Sequence, residues 1–316
     1  MLRTLLVLVA LTLCTHGGYG LQTPPTENAI KHVHDPCIIK EGAYYYVFAT
    51  GHGIPIRRSK DLVHWEFVGR VFQEDMPAWG KTEIPKTIMP WAPDILHYRG
   101  RYWLTYSLSS FGKNRSLIGL ATNKTLDPQS KEYAWHDEGK IFESFPENHY
   151  NAIDSNLLPI GKNRLVMTFG SFWSGIKLVE LDPQTGKSLP NAEVLPIAQR
   201  PSPDAIEAPF LFHHGEYYYL FVSFDFCCRG VNSTYHLRVG RSRKVEGPYL
   251  DKAGVPLREG GGTLLLETNG RYVGTGHCGV LQDGKRTLLV HHFYDKEDKG
   301  IPTLQVRPLT WDSEGW

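Results

Sequence analysis

Apolar and polar positions along this chain alternate in short runs, and one unit recurs five times. Each copy opens on a charged or imidazole residue beside a small one and continues as a short apolar run. It then turns at a glycine and returns as a strand rich in aromatics. The first copy is Asp35-Pro36-Cys37-Ile38-Ile39, turning at Gly42 into Tyr44-Tyr45-Tyr46-Val47-Phe48. The others open at Asp94, Asp154, Glu207 and His277 and turn at Gly100, Gly161, Gly215 and Gly284. The opening residue therefore precedes its glycine by 7, 6, 7, 8 and 7 positions. Period-two runs bounded by glycine read as hairpins. A third strand-like run follows each hairpin, such as 116–120 or 235–239. An edge element such as Trp65-Glu66-Phe67 or Tyr133-Ala134-Trp135 completes the unit. Four short strands per unit, with openings spaced by 59, 60, 53 and 70 residues, predict an all-β fold: a five-bladed β-propeller with four-stranded antiparallel blades around a central channel. A β-sandwich also reads as short strands, but it gives no reason for a fivefold repeat.

The innermost strand of each propeller blade lines the channel, so the repeat aims Asp35, Asp94, Asp154, Glu207 and His277 at one axis. Charge among apolar and aromatic strands is costly unless it is paired or functional. Converging carboxylates suit general acid–base chemistry. Glycoside cleavage uses that equipment: one carboxylic acid protonates the leaving oxygen while a carboxylate activates water or attacks the sugar. A third carboxylate nearby raises the acid's pKa by repulsion.

Composition narrows the partners. Lys+Arg 34 against Asp+Glu 33 gives no field to gather nucleic acid or anionic lipid, which favours a neutral partner. Residues 1–20 read as a signal peptide: a positive start at Arg3, an apolar stretch from Leu5 to Cys14, and small residues Gly18 and Gly20 at the cleavage site. The apolar run is shorter than the ~20 residues a bilayer demands, so the expectation is a secreted protein with one catalytic domain over 21–316 and no membrane association. Acceptor sequons at Asn114, Asn123 and Asn232 agree with that address. Of the cysteines beyond the signal, Cys227 and Cys228 are adjacent, and a bond between them would be strained. No CxxC spacing marks a thiolate zinc site.

The strings His34-Asp35-Pro36, Trp91-Ala92-Pro93-Asp94-Ile95, Tyr150-Asn151-Ala152-Ile153-Asp154 and Ile206-Glu207-Ala208-Pro209 resemble those of glycoside hydrolase family 43. So do the segments 169–175 and 223–228, and the likeness runs from about residue 32 to the end. The pattern is most similar to that of its endo-1,5-α-L-arabinanases. The resemblance implies inverting hydrolysis of linear arabinan, a plant-wall polysaccharide, with Asp35 as general base and Glu207 as general acid. Asp154 tunes and orients the acid. In an inverting pair, base and acid stand roughly 6.5–9.5 Å apart to admit water. The resemblance also implies an axial cation, taken as calcium, held by His292 and waters, although calcium prefers oxygen ligands. It points to Asp35, Gly112, Asn151, Asp154, Ser171 and Trp173 as substrate contacts, with Trp91 and Phe111 as stacking platforms.

Other readings attach to single residues. Asp94 reads as structural, and His34 as a packing or hydrogen-bonding residue. His277 stays open between a substrate or water contact and a satisfied polar group near the axis, and Asp225 between positioning and structure. Cys37 and Cys278, at equivalent positions of blades one and five, are expected to form a disulfide across the ring closure. The chain is expected to be a monomer. Two rival functions remain: an exo-acting α-L-arabinofuranosidase or β-xylosidase on the same fold, and a propeller that binds glycan without cleaving it. The absence of an appended β-sandwich domain favours the arabinanase over the xylosidases, and the retained carboxylates weigh against the pure binder.

Overall fold

The structure, a computed structural model, describes residues 29–316; the expected signal peptide lies outside the described residues. Nineteen strands form five antiparallel sheets. The first contains β1 (Cys37–Glu41), β2 (Tyr44–Phe48), β3 (Pro55–Ser59) and β4 (Glu66–Arg70). The second contains β5 (Trp91–Tyr98), β6 (Arg101–Leu108), β7 (Ser116–Asn123) and β8 (His136–Ser144), and the third β9 (Asn156–Ile160), β10 (Arg164–Phe169), β11 (Ile176–Leu181) and β12 (Leu195–Ala198). The fourth holds β13 (Ile206–His214), β14 (Tyr217–Phe224), β15 (His236–Ser242) and β16 (Thr263–Leu266), and the last β17 (Tyr272–Asp283), β18 (Arg286–Asp295) and β19 (Ile301–Leu309). One short helix, α1 (Ala78–Glu83), joins the first two sheets.

The inner strands touch in a closed cycle: β1 with β5, β5 with β9, β9 with β13, β13 with β17, and β17 with β1. The fold is the expected five-bladed propeller. The fifth blade has three named strands, and the chain's beginning supplies its fourth edge. Leu304 donates its N–H to the Ile30 carbonyl (2.8 Å), and Val33 donates to that of Pro302 (3.0 Å). Pairing residues 30–33 with the last strand closes the ring.

Hydrophobic cores lie between neighbouring blades. Between blades one and two, Tyr46 and Phe48 pack with Leu104 and Tyr106; between five and one, Val47 packs with Leu288 and Val290. This placement explains the aromatic second strand of each unit, whose alternate side chains face opposite neighbours. The glycines that mark the hairpins, Gly42, Gly100, Gly161, Gly215 and Gly284, all have φ between +57° and +77°. That is the left-handed conformation such tight turns demand.

One expectation changes. Cys37 and Cys278 are both free thiols. They are one step out of register, because Cys37 stands two residues after its blade's left-handed residue Asp35 and Cys278 one after His277. Two of the three sequons are buried: the Asn114 amide is spent on the carbonyls of Phe145, Asn148 and Tyr150, and Asn123 is 1% exposed. Asn232 alone of the three is exposed. Among the described residues, no helix is long and apolar enough to cross a membrane.

Candidate active site

The repeat's true constant is a backbone conformation rather than a charge. Asp35, Ala92, Asp154, Ala208 and His277, each within an inner strand or just before one, have φ between +44° and +57°. They precede their turn glycines by 7, 8, 7, 7 and 7 positions. Alignment on charge had put Asp94 and Glu207 on this rung. The structure places Asp94 two residues deeper along the axis and Glu207 one residue before it. Residues of all five inner strands line one narrow axial channel beneath the rung, among them Pro36, Pro93, Pro209 and His277.

A left-handed non-glycine residue costs about 1–3 kcal/mol and persists only where its surroundings enforce it. The neighbouring blade does so here by binding the residue's amide. Thr50 Oγ1 accepts from Ala92 N–H (2.8 Å), Ser107 Oγ from Asp154 N–H (3.0 Å) and Ser223 Oγ from His277 N–H (2.9 Å). His292 Nδ1 does the same for Asp35 N–H (3.1 Å). The third blade breaks the pattern, and Asp154 Oδ2 accepts from Ala208 N–H (3.1 Å). Its hydroxyl at the corresponding place, Ser171 Oγ, is thereby released to donate to Glu207 Oε2 (2.7 Å). One substitution of roles thus fixes the backbone beside Glu207 and orients its carboxyl.

Asp35 is gripped on both oxygens. Thr50 Oγ1 donates to Oδ2 (2.6 Å), while His34 Nδ1 (2.8 Å) and His277 Nδ1 (3.2 Å) face Oδ1. Burial alone pushes its pKa up. The positive charges and hydrogen bonds of His34 and His277 outweigh that and hold Asp35 well below the usual carboxylate range. His34 therefore has the hydrogen-bonding role expected of it. His277 is more than a satisfied polar group, because it contacts the Asp35 carboxylate directly.

Asp154 and Glu207 shift the other way. Burial pushes the Asp154 carboxyl up to about 8; nearby His277 opposes the shift, and the charges of Glu207 and Asp35 add to it. Glu207 is also raised, first by burial, against hydrogen bonds from Ser171 and Tyr235 and with help from Asp35. The two acids share one environment and repel each other's charge, so the pair keeps a proton at pH values where Asp35 is ionised. A carboxylate held low thus stands with a pair of carboxyls held high, the combination that general acid–base catalysis needs.

The remaining candidates fall into place around this centre. Asp94 is buried, pushed up to about 7 by desolvation, and accepts from Asn156 Nδ2 (3.0 Å), which is the structural role expected. Asp225 pairs with Arg200 and is likewise structural. Asn151 is buried with its Oδ1 accepting from Ser116 Oγ (2.6 Å). Trp91 and Trp173 are half-buried, Gly112 is exposed, and Phe111 is 82% exposed on the loop after β6. Sequence reading missed Thr50, Ser107, Ser223 and Tyr235. The hydroxyl near the end of each second strand is visible in the sequence, but its purpose needs the neighbouring blade.

Tyr235 is 1% exposed and reaches Glu207 because Gly276 leaves room for its ring. A Cβ on Gly276 would lie 2.0 Å from Tyr235 Cδ1. Gly276→Ala is expected to displace the ring and destabilise the protein by about 1–3 kcal/mol. Thermal unfolding checks this, and an unchanged Tm would contradict it.

The glycosyl hydrolases family 43 model matches residues 27–316. The chain belongs to that family. It is a glycoside hydrolase, and its relatives agree in kind. An extracellular exo-α-(1→5)-L-arabinofuranosidase of Cellvibrio japonicus is 44% identical over 296 residues, spanning 90% of this chain and 85% of the relative. An extracellular endo-α-(1→5)-L-arabinanase of Bacillus subtilis is 43% identical over 289 residues, spanning 90% and 86%. Among solved structures, the α-L-arabinanase of Cellvibrio cellulosa complexed with arabinohexaose superposes with a TM-score of 0.87 at 42% identity, covering 91% of this chain and 95% of that one. The family 43 endo-arabinanase of Bacillus licheniformis gives 0.85 at 42% identity, covering 92% and 98%.

For a family 43 hydrolase, the site's electrostatics set the direction of a pH shift. Ser171 stabilises the charged form of Glu207, so Ser171→Ala is expected to raise the Glu207 pKa further. The alkaline limb of the pH–rate profile would then move to higher pH while the maximal rate falls. A limb that stays or moves down would refute the arrangement.

Proposed function

We propose that the chain is a secreted, inverting endo-1,5-α-L-arabinanase acting on linear arabinan, with Asp35 as base, Glu207 as acid and Asp154 as the residue that orients and tunes the acid. The observation that carries this reading is the opposed ionisation of the three carboxyls: Asp35 is held well below the usual range, and Asp154 and Glu207 are raised. In the reaction, Asp35 takes a proton from water as the water oxygen bonds to the anomeric carbon. Glu207 gives its proton to the departing 5-oxygen as the glycosidic bond breaks. Asp35 ends protonated and Glu207 ionised, and solvent resets both.

The substrate class rests on the relatives' names and on the bound arabinohexaose of the Cellvibrio structure. Phe111, Trp91 and Trp173 would supply aromatic faces for furanose rings, and Gly112, Asn151 and Asp154 would be polar or backbone contacts. Ser171 belongs to the acid's support as well as to this group. The polysaccharide is neutral, in keeping with the balanced charge, and the chain works as a monomer delivered outside the cell by residues 1–20.

A calcium ion is part of the reading. His292 is fully buried, and its Nε2 has no partner among the described residues, an orphaned polar atom that an axial cation would engage. Ligation through Nε2 places the ring proton on Nδ1 and so costs the contact with the Asp35 amide. A bound cation would supply positive charge near the ionised base. Chelation is expected to lower the Tm, and an unchanged Tm would count against the ion.

Products from debranched linear arabinan decide the mode of action. A ladder of oligomers early in the reaction supports internal cleavage. A single small product from the first minutes would point to the exo mode named for the Cellvibrio relative, and no product at all would leave a binding propeller.

A further inference from the structure

Cys227 and Cys228 take no part in the carboxylate chemistry, yet they stand beside it. Their Sγ atoms face each other 2.7 Å apart, and Cys228 Sγ lies 3.8 Å from His34 Nε2. One ligand atom from each of the three residues falls within 4.8 Å of the others. The segment is tied down where it matters: the Cys228 N–H donates to Tyr294 Oη (2.6 Å), and the same oxygen meets His34 Nε2 (2.7 Å). Cys228 is exposed and the other two are partly so, which leaves the cluster open to small solutes.

His34 is already oriented as a ligand. Its Nδ1 is fixed on Asp35 Oδ1 (2.8 Å), and its ring stacks on His292 with centroids 4.0 Å apart. An imidazole whose first nitrogen donates to a carboxylate can give its second to a metal, a recurring arrangement in metalloproteins; here the cation takes the place of the Tyr294 hydroxyl at Nε2. Two thiolates and one imidazole make a three-ligand set with a fourth position open. Sulfur selects soft cations, whereas calcium and magnesium prefer oxygen. A tetrahedral centre with metal–sulfur bonds of about 2.3 Å needs the two sulfurs to part. Rotation of the exposed Cys228 side chain allows that.

We propose that Cys227, Cys228 and His34 form a site for a thiophilic metal cation, through which such a cation inhibits the enzyme. Each thiol and His34 Nε2 gives up its proton as the cation enters, and no electrons are transferred. The bound charge then lies one imidazole away from Asp35. There it crowds the rim of the site.

The test uses the full chain, reduced with a phosphine and titrated with cadmium chloride. Absorption from thiolate-to-cadmium charge transfer should rise to a plateau at one equivalent. Hydrolysis of arabinan should fall about tenfold or more in parallel, as expected when a factor of ten corresponds to ~1.4 kcal/mol, and an excess of a dithiol, which competes for cadmium and not for calcium, should restore it. The C227S/C228S variant should keep its activity and show neither response, and calcium chloride should give no absorption. Absence of the band in the reduced wild type would overturn the proposal, as would equal inhibition of the double variant. Because the band is read without substrate, its failure is distinguishable from a failure of the arabinan assignment.

Discussion

Glu207→Ala is expected to reduce hydrolysis of linear arabinan by about 10²–10⁴-fold, the range that a positioned general acid contributes. The size of the loss should depend on the leaving group. A sugar hydroxyl departs poorly without a proton, whereas an acidic phenol leaves unaided. An aryl arabino-oligosaccharide with such a phenol should therefore retain far more of its rate in the variant. The fold should survive, because Glu207 sits at a strand start and its removal relieves a desolvated carboxyl while freeing Ser171. Circular dichroism checks the fold and initial rates on the two substrates check the role. Equal losses on both substrates would remove Glu207 from the role of acid, and so would near-normal turnover of arabinan.

Asp35→Asn should cost a comparable factor of about 10²–10⁴, with a different signature. The base acts on water, so the loss should be the same whatever group departs. Asparagine keeps the shape and still offers the Thr50 hydroxyl an acceptor, but it withdraws the charge that His34 and His277 face. Both imidazoles, whose pKa values the Asp35 charge raises against the effect of burial, should then titrate at lower pH. NMR titration of the histidines reads that shift. A variant with unchanged imidazole titration would contradict the described grip on Asp35, and one that recovers rate with activated leaving groups would assign it a different role.

Much of this architecture was legible in the chain. The five-fold repeat, the turn glycines and the aromatic second strands each record one local demand, and each reappeared in the structure. The register of the repeat was less legible. Charge drew the eye to Asp94 and Glu207, whereas the constant feature is a left-handed residue that need not be charged, as Ala92 and Ala208 show. The support of the site was hidden for a related reason. Thr50, Ser107 and Ser223 each act on the next blade, 42, 47 and 54 residues away, a distance no local pattern reports. The expected disulfide failed on the same point, since one residue of register separates Cys37 from the place of Cys278. Burial of Asn114 and Asn123 was equally illegible, because an Asn-x-Ser/Thr string says nothing about burial.

The reading in which Asp35 activates water while Glu207 protonates the leaving oxygen requires a single displacement at the anomeric carbon. Proton NMR of debranched arabinan during the first minutes of hydrolysis tests it most directly. The account predicts that the new reducing ends appear first as the β-anomer and only later equilibrate; first appearance of the α-anomer would contradict it.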